Sequence, residues 1–106
     1  MVDVIADKKA EDIVLLDIRE QSVIADYFII CSGNSQRQLT AIIEGLMEET
    51  KTRHELRPWY VEGEADTGWV LLDYGDVIVH AFEPLVRHHY DLEGLWRESH
   101  VLLKMQ

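Results

Sequence analysis

The chain has 106 residues, 47% of them hydrophobic, and a formal net charge of −10 from 20 acidic and 10 basic side chains. This length and apolar content predict one folded domain with a modest core and exclude a disordered chain. The shortage of Lys and Arg disfavours direct capture of nucleic acid, which needs basic side chains to neutralise phosphates. A basic protein partner is favoured instead, with a purely solubilising role for the acidity as the alternative.

Cysteine content and the start of the chain indicate the compartment. Cys31 is the single cysteine, so no internal disulfide can form, which suits a reducing environment. The first residues are acidic and lack the basic start and long apolar run of a signal peptide. No apolar run approaches the roughly 20 residues that cross a membrane. We therefore expect a cytoplasmic protein.

The first part of the chain predicts a short helix followed by two strands. The helix covers about residues 2–10, and the strands cover residues 13–18 and 27–31. Both strand segments are nearly continuous apolar runs rich in β-branched residues, a pattern typical of strands buried on both faces.

A long amphipathic helix is predicted over residues 36–52, ending before Pro58. Ser35 and Gln38 have the spacing of a capping box, in which the first residue caps the helix start. The apolar positions then follow the spacing of one helical stripe. These positions are Leu39, Ile42, Ile43, Leu46 and Met47.

A third strand at residues 59–61 precedes a polar loop and a β-hairpin over residues 69–82. Gly75 supplies the backbone freedom that the hairpin turn requires. Pro84 suits the first turn of a short helix that runs to residue 90. Asp91 can then cap another turn that includes Leu92, Leu95 and Trp96. No element is predicted after Ser99.

These elements predict an α/β fold. The strand–helix–strand stretch from residue 27 to residue 61 indicates a parallel pair with a right-handed crossover, whereas the later hairpin is antiparallel. The expected architecture is a mixed sheet of about five strands with helices on its faces.

Catalytic and metal-binding interpretations have weak support in the sequence. Asp73 and Asp76 could together hold Mg²⁺ or act as acid and base, but turn residues also use carboxylates for local hydrogen bonds. The segment 32–35 could bind an anion at a helix start, although it lacks a phosphate-loop pattern. The five histidines show no metal-pair spacing, and a buried thiol is expected for Cys31. We therefore expect no catalytic residues, metal or cofactor.

The hairpin region instead resembles an interaction surface. No Lys or Arg occurs from residue 58 to residue 86, and several acidic residues lie in that span. Aromatic residues, with Arg, dominate the energetics of protein interfaces, although each aromatic here could equally belong to the core. Tyr74 is expected to be the most exposed because turn residues lie at the surface. Arg87 shares a helix face with Tyr90 but could also pair with Glu83. The aromatic candidates are Trp69, Tyr74, Tyr90 and Trp96.

The chain resembles the Iojap family, the ribosomal silencing factors. The likeness covers nearly the whole chain and rests on five collinear motifs. One departure concerns the helix before Asp7, which is usually longer in family members and is a potential source of packing or self-association there, whereas here it is nearly absent. The motifs are residues 7–13, 25–35, 62–63, 69–82 and 87–96.

The resemblance implies a nucleotidyltransferase-like fold outline without enzymatic activity, because no Asp-x-Asp pair follows the Gly33–Ser35 turn. It also implies binding to the large ribosomal subunit through its fourteenth protein. The resemblance further implies that this contact blocks joining of the small subunit and represses translation in nutrient-poor conditions.

Carried over to this sequence, the resemblance gives a set of expected partner-binding residues. Leu92 and Trp96 are instead expected to hold the C-terminal turns onto the sheet. The rival interpretations are a Mg-dependent nucleotidyltransferase-like enzyme and an acidic adaptor for another basic protein. A homodimer that covers the exposed aromatics is a further expectation. The partner-binding set is Trp69, Asp73, Tyr74, Asp76, Arg87 and Tyr90.

Overall fold

The structure, a computed structural model, describes residues 1–95 and 100–105. Six strands form one mixed sheet in the order β3-β4-β5-β2-β1-β6. The strands are β1 Glu11–Asp17, β2 Tyr27–Ser32, β3 Tyr60–Glu62, β4 Trp69–Asp73, β5 Val77–Phe82 and β6 His100–Met105. The helices are α1 Val2–Asp7, α2 Gln36–His54, α3 Pro84–Tyr90 and α4 Leu92–Leu95, with a 3₁₀ turn at Ala65–Thr67.

Two apolar clusters lie on the two faces of the sheet. Strand residues alternate between faces, so Ile29 and Cys31 of β2 join α1 and α2, whereas Phe28 and Ile30 join the opposite cluster with α3 and α4. Strand β2 is buried on both faces, which confirms the interpretation of its apolar run, and the hairpin strand β5 is buried in the same way. None of the described helices is long and apolar enough to cross a membrane.

Helix α2 begins as its sequence predicts. The Ser35 hydroxyl accepts a hydrogen bond from the Gln38 backbone N–H at 3.1 Å. The Gln38 side-chain oxygen accepts a hydrogen bond from the Asn34 backbone N–H at 2.7 Å, and its amide nitrogen donates to the Lys9 carbonyl oxygen at 2.6 Å. The cap therefore also ties α2 to the end of α1. The four predicted apolar positions from Leu39 to Leu46 are buried, and Met47 packs partly against them.

The predicted pairing of the parallel strands is wrong. The parallel neighbour of β2 is β5, in the register Tyr27 to Val77, and β3 lies at the sheet edge beside β4. The apolar strand β5 is largely buried, whereas all three residues of β3 are exposed. Burial of the more apolar strand beside β2 is therefore favoured. Backbone N–H groups of Asp26 and Tyr27 also donate to the Asp76 carbonyl oxygen at 2.8 and 3.0 Å, fixing the hairpin turn against β2.

A sixth strand corrects the predicted count of five. Strand β6 pairs antiparallel with β1 and forms the edge opposite β3. Five of its six residues are exposed, so no alternating burial pattern marks it in the sequence.

The start of α3 and its end at Asp91 are those that the sequence predicts. Pro84 occupies the first turn of α3, and Asp91 ends that helix with a φ of +47°. The Asp91 carboxylate then accepts a hydrogen bond from the Gly94 backbone N–H at 3.2 Å, which caps α4. Leu92 packs against the cluster under α3 as expected, whereas Trp96 lies outside the described residues.

Candidate partner-binding surface

Strand β4 presents Trp69, Leu71 and Asp73 on the sheet face opposite α2, since alternate residues share a face. Directly paired residues on edge strand β3 share that face. Glu62 pairs with Leu71, and Tyr60 pairs with Asp73. With Tyr90 of α3, these side chains form a surface that we call the aromatic face.

Trp69 and Tyr90 lie together at one end of this surface, as the expected contact set requires. The Trp69 ring stacks on Phe82 with a centroid separation of 4.9 Å and meets the Tyr90 ring at 4.6 Å. Trp69 is half-buried, whereas Tyr90 is 49% exposed. Within this pair, the geometry thus makes Trp69 the support and Tyr90 the more accessible ring.

His80 fixes the orientation of the Trp69 indole. The indole N–H donates to His80 Nδ1 at 3.2 Å, and His80 is only 4% exposed. Burial lowers the pKa of His80 to about 4, so the ring is neutral at pH 7 and carries its proton on Nε2. Among the described residues, Nε2 has no hydrogen-bond partner. Within the described parts of the chain, the buried imidazole is therefore hydrogen-bonded at one nitrogen only.

The two turn carboxylates have separate roles. Asp73 accepts a hydrogen bond from the Gly75 backbone N–H at 2.8 Å, the local turn contact that competes with a metal-binding interpretation. Gly75 has a φ of +90°, as the turn requires. The side chain of Asp76, in the same turn, is exposed. No cluster of three or more candidate metal ligands occurs in the described parts of the chain.

Tyr74 is not the most exposed of the candidate aromatic residues, contrary to expectation, because it is only partly exposed whereas Tyr90 of α3 is 49% exposed. Its hydroxyl lies 3.1 Å from Thr50 Oγ1 of α2, and its ring packs against the cluster on the α2 face. Burial raises the pKa of Tyr74. Tyr74 follows Asp73 directly, so alternation turns it away from the aromatic face. The structure therefore separates Tyr74 from Trp69 and Tyr90.

Arg87 is buried inside the fold, with only 9% of its surface exposed. Its Nη1 group donates to the Asp12 carbonyl oxygen at 2.7 Å and to Ser32 Oγ at 2.8 Å. Its Nε group pairs with Glu93 at 3.0 Å, in place of the alternative partner Glu83. The guanidinium is therefore little exposed and engaged by internal partners, and its geometry is that of a clamp holding α3 to the strands.

Two further groups were considered for chemistry, the possible anion-binding segment at residues 32–35 and the thiol of Cys31. The first is hydrogen-bonded internally, and the second is buried. The Asn34 side chain donates to Glu11 at 2.7 Å, and its backbone N–H is taken by Gln38, so internal partners occupy the proposed anion segment. Cys31 is fully buried, and burial raises the pKa of its thiol to about 12. A thiol in this environment is a poor nucleophile.

Edge strand β3 supplies residues that the sequence analysis did not include in the contact set. Tyr60 and Glu62 are exposed on the aromatic face, and neighbouring Trp59 is 73% exposed with its ring beside Gly75. The sequence did carry a signal for this part of the surface. Trp59 and Tyr60 are consecutive aromatic residues in the acidic segment 58–86, which has no Lys or Arg.

Comparisons with known proteins identify the family. The sequence model described as "Ribosomal silencing factor during starvation" (RsfS) matches residues 1–106. The chain is 42% identical over 93 residues to a ribosomal silencing factor from Bacillus subtilis, covering 88% of this chain and 78% of that protein. It is 41% identical over 98 residues to one from Halalkalibacterium halodurans, covering 92% and 83%.

A solved structure agrees with this match. A crystal structure of a Chromobacterium violaceum protein superposes with a TM-score of 0.85 at 33% identity, covering 91% of this chain and 79% of the other. The resemblance seen in the sequence is thus confirmed over nearly the whole fold. The chain belongs to the ribosomal silencing factor family.

Proposed function

We propose that this protein represses translation under nutrient limitation by binding the large ribosomal subunit through its fourteenth protein. The bound chain then sterically excludes the small subunit. Family membership supports a ribosomal partner. The aromatic face carries the finer proposal, since it combines an accessible aromatic residue with acidic groups in a segment from residue 58 to residue 86 that has no Lys or Arg.

The proposed contact is centred on Tyr90, with Trp69 behind it. An aromatic anchor on a rigid support resembles the residues that dominate measured interfaces. Asp73 and Asp76 contribute negative charge along the hairpin and steer a basic partner during encounter. Tyr74 and Arg87, two members of the expected partner-binding set, hold the hairpin and α3 in position instead of touching the partner.

This mechanism requires no chemical step. Exclusion of the small subunit depends on the location and lifetime of the complex alone. The rival Mg-dependent enzyme has little support, because its first carboxylate, Asp73, is held by the turn backbone. We propose action in the cytoplasm, with the ribosomes, and a free homodimer that covers the aromatic face until the ribosome competes for it.

Subunit joining tests the proposal. Purified large and small subunits are mixed with and without the protein, and joining is followed by light scattering. We expect the wild-type protein to prevent joining, and Tyr90→Ala to weaken binding to the large subunit by about 2 kcal/mol, roughly 30-fold. Val101→Ala is the matched control because it truncates an exposed apolar residue on the far edge strand β6. Unimpeded joining at saturating wild-type protein would refute the proposal.

A further inference from the structure

A pocket of about 230 Å³ opens on the aromatic face beside Trp69. We propose that it binds one arginine side chain of the protein partner. This inference rests on the proposed function and names the chemical group that the contact surface recognises. The lining residues are Glu62, Gly63, Thr67, Trp69, Leu71 and Tyr90.

The walls of the pocket match a guanidinium group. Trp69 and Tyr90 meet at 4.6 Å with their ring planes inclined by 48°, so together they present a continuous aromatic surface. Guanidinium groups stack on aromatic faces more readily than ammonium groups do, and the ring quadrupole attracts their charge. Leu71, which is partly buried in the pocket, offers apolar contact to the aliphatic part of an arginine.

Glu62 supplies the opposite charge. It lies on edge strand β3, directly across from Leu71, and is exposed at the pocket. A carboxylate can accept two parallel hydrogen bonds from one guanidinium, which adds orientation to attraction. Among the described residues, Glu62 forms no internal ion pair. Other acidic residues, such as Asp17 and Glu49, are paired internally.

Size and charge disfavour other occupants. Small-molecule sites usually enclose about 300–1,000 Å³, so this pocket is better suited to a single side chain. A phosphate-bearing ligand would need basic groups, and none of the described lining residues is basic. For a metal ion, the part of the lining that the structure describes offers a single carboxylate, that of Glu62.

The pocket is held in shape before any partner arrives. Gly63 has a φ of +80°, and a Cβ atom built there would collide with the carbonyl oxygen of Trp69. The Thr67 hydroxyl donates to the Glu64 carbonyl oxygen at 2.7 Å and so closes the loop below the pocket. Together with the bond from Trp69 to His80, these contacts lower the ordering cost of binding.

The test compares two charge-neutralising variants in binding to isolated large subunits. Glu62→Gln removes the pocket carboxylate, and Glu64→Gln makes the same charge change two residues away, outside the pocket lining. We expect Glu62→Gln to weaken binding about tenfold and Glu64→Gln to change it about twofold or less. Equal effects of the two variants, or wild-type binding by Glu62→Gln, would overturn the pocket assignment.

A double-mutant cycle then identifies the partner group. Each arginine and lysine of the fourteenth protein is changed to alanine in reconstituted subunits and tested with wild-type chain and Glu62→Gln. We expect one arginine to show a coupling of about threefold or more with Glu62. Coupling to lysines alone, or to no residue, would contradict the proposal. Binding of the wild-type chain tests the proposed function itself. If the wild-type chain does not bind large subunits, both proposals fail, whereas wild-type binding that Glu62→Gln leaves unchanged overturns the pocket assignment alone.

Discussion

Replacement of Arg87 by methionine tests whether this residue is a structural clamp or a contact group. The variant keeps an unbranched apolar stem and removes the guanidinium. The two bonds to Asp12 and Ser32 involve a charged donor in a buried setting, and each contributes about 1.5 kcal/mol or more. Glu93 is 40% exposed, so its ion pair contributes about 1 kcal/mol or less.

Arg87→Met should therefore lower the free energy of unfolding by about 3–4 kcal/mol, a large share of the 5–15 kcal/mol typical of a domain. The midpoint of thermal unfolding should fall by roughly 15 °C. Lysine should not rescue it, because one ammonium cannot reproduce the fork of donors. Urea unfolding measures the loss, with Arg57→Met as an exposed control. Wild-type stability combined with lost ribosome binding would refute the clamp and make Arg87 a contact residue.

Three further predictions follow from the hairpin and its neighbours. Tyr74→Phe should cost about 1 kcal/mol of stability through its lost bond to Thr50, with ribosome affinity unchanged. Gly63→Ala should destabilise the protein by more than about 1 kcal/mol, because φ is +80° and the new methyl group meets the Trp69 carbonyl oxygen. Stability should fall as pH decreases from about 6.5 towards 4, since unfolded His80 gains a proton in this range while the folded residue, with its pKa lowered to about 4, stays neutral.

Urea unfolding of each variant supplies the measurements. Weaker ribosome binding by Tyr74→Phe would return Tyr74 to the contact surface, and an unchanged unfolding midpoint for Gly63→Ala would contradict the crowding at that loop. For the pH prediction, His80→Gln should remove a slope of up to about 1.4 kcal/mol per pH unit. If wild type and this variant show parallel pH profiles, His80 does not titrate as its burial requires.

Local signals in the sequence were sufficient for α2 and the hairpin. The cap at Ser35 and the helical spacing of apolar residues are properties of neighbours in the chain, and the turn at Gly75 likewise needs only local backbone freedom. The edge strand β6 lacks such a signal, because its pairing with β1 satisfies backbone groups while most side chains remain exposed. The pairing of β2 with β5 instead of β3 likewise depends on competition between segments that are distant in the chain.

Only part of the candidate site could be predicted, because its geometry also depends on contacts between residues that are distant in the chain. Trp69 and Tyr90 meet as expected, but Tyr74 follows strand alternation to the other face despite its place beside a turn. Arg87 has the residue type of an interface anchor, yet its partners Ser32 and Asp12 lie 55 and 75 positions away in the chain. Contacts at such separations are invisible to a reading of neighbouring residues.

Co-sedimentation with purified ribosomal subunits tests the central claim most directly. Wild-type protein and Tyr90→Ala are each centrifuged with large or small subunits at low and moderate salt, after both are shown to be folded. We predict that wild-type protein sediments with the large subunit alone and that Tyr90→Ala remains largely in the supernatant. Equal sedimentation of the two proteins with the large subunit, or no binding of wild-type protein to it, would contradict the account.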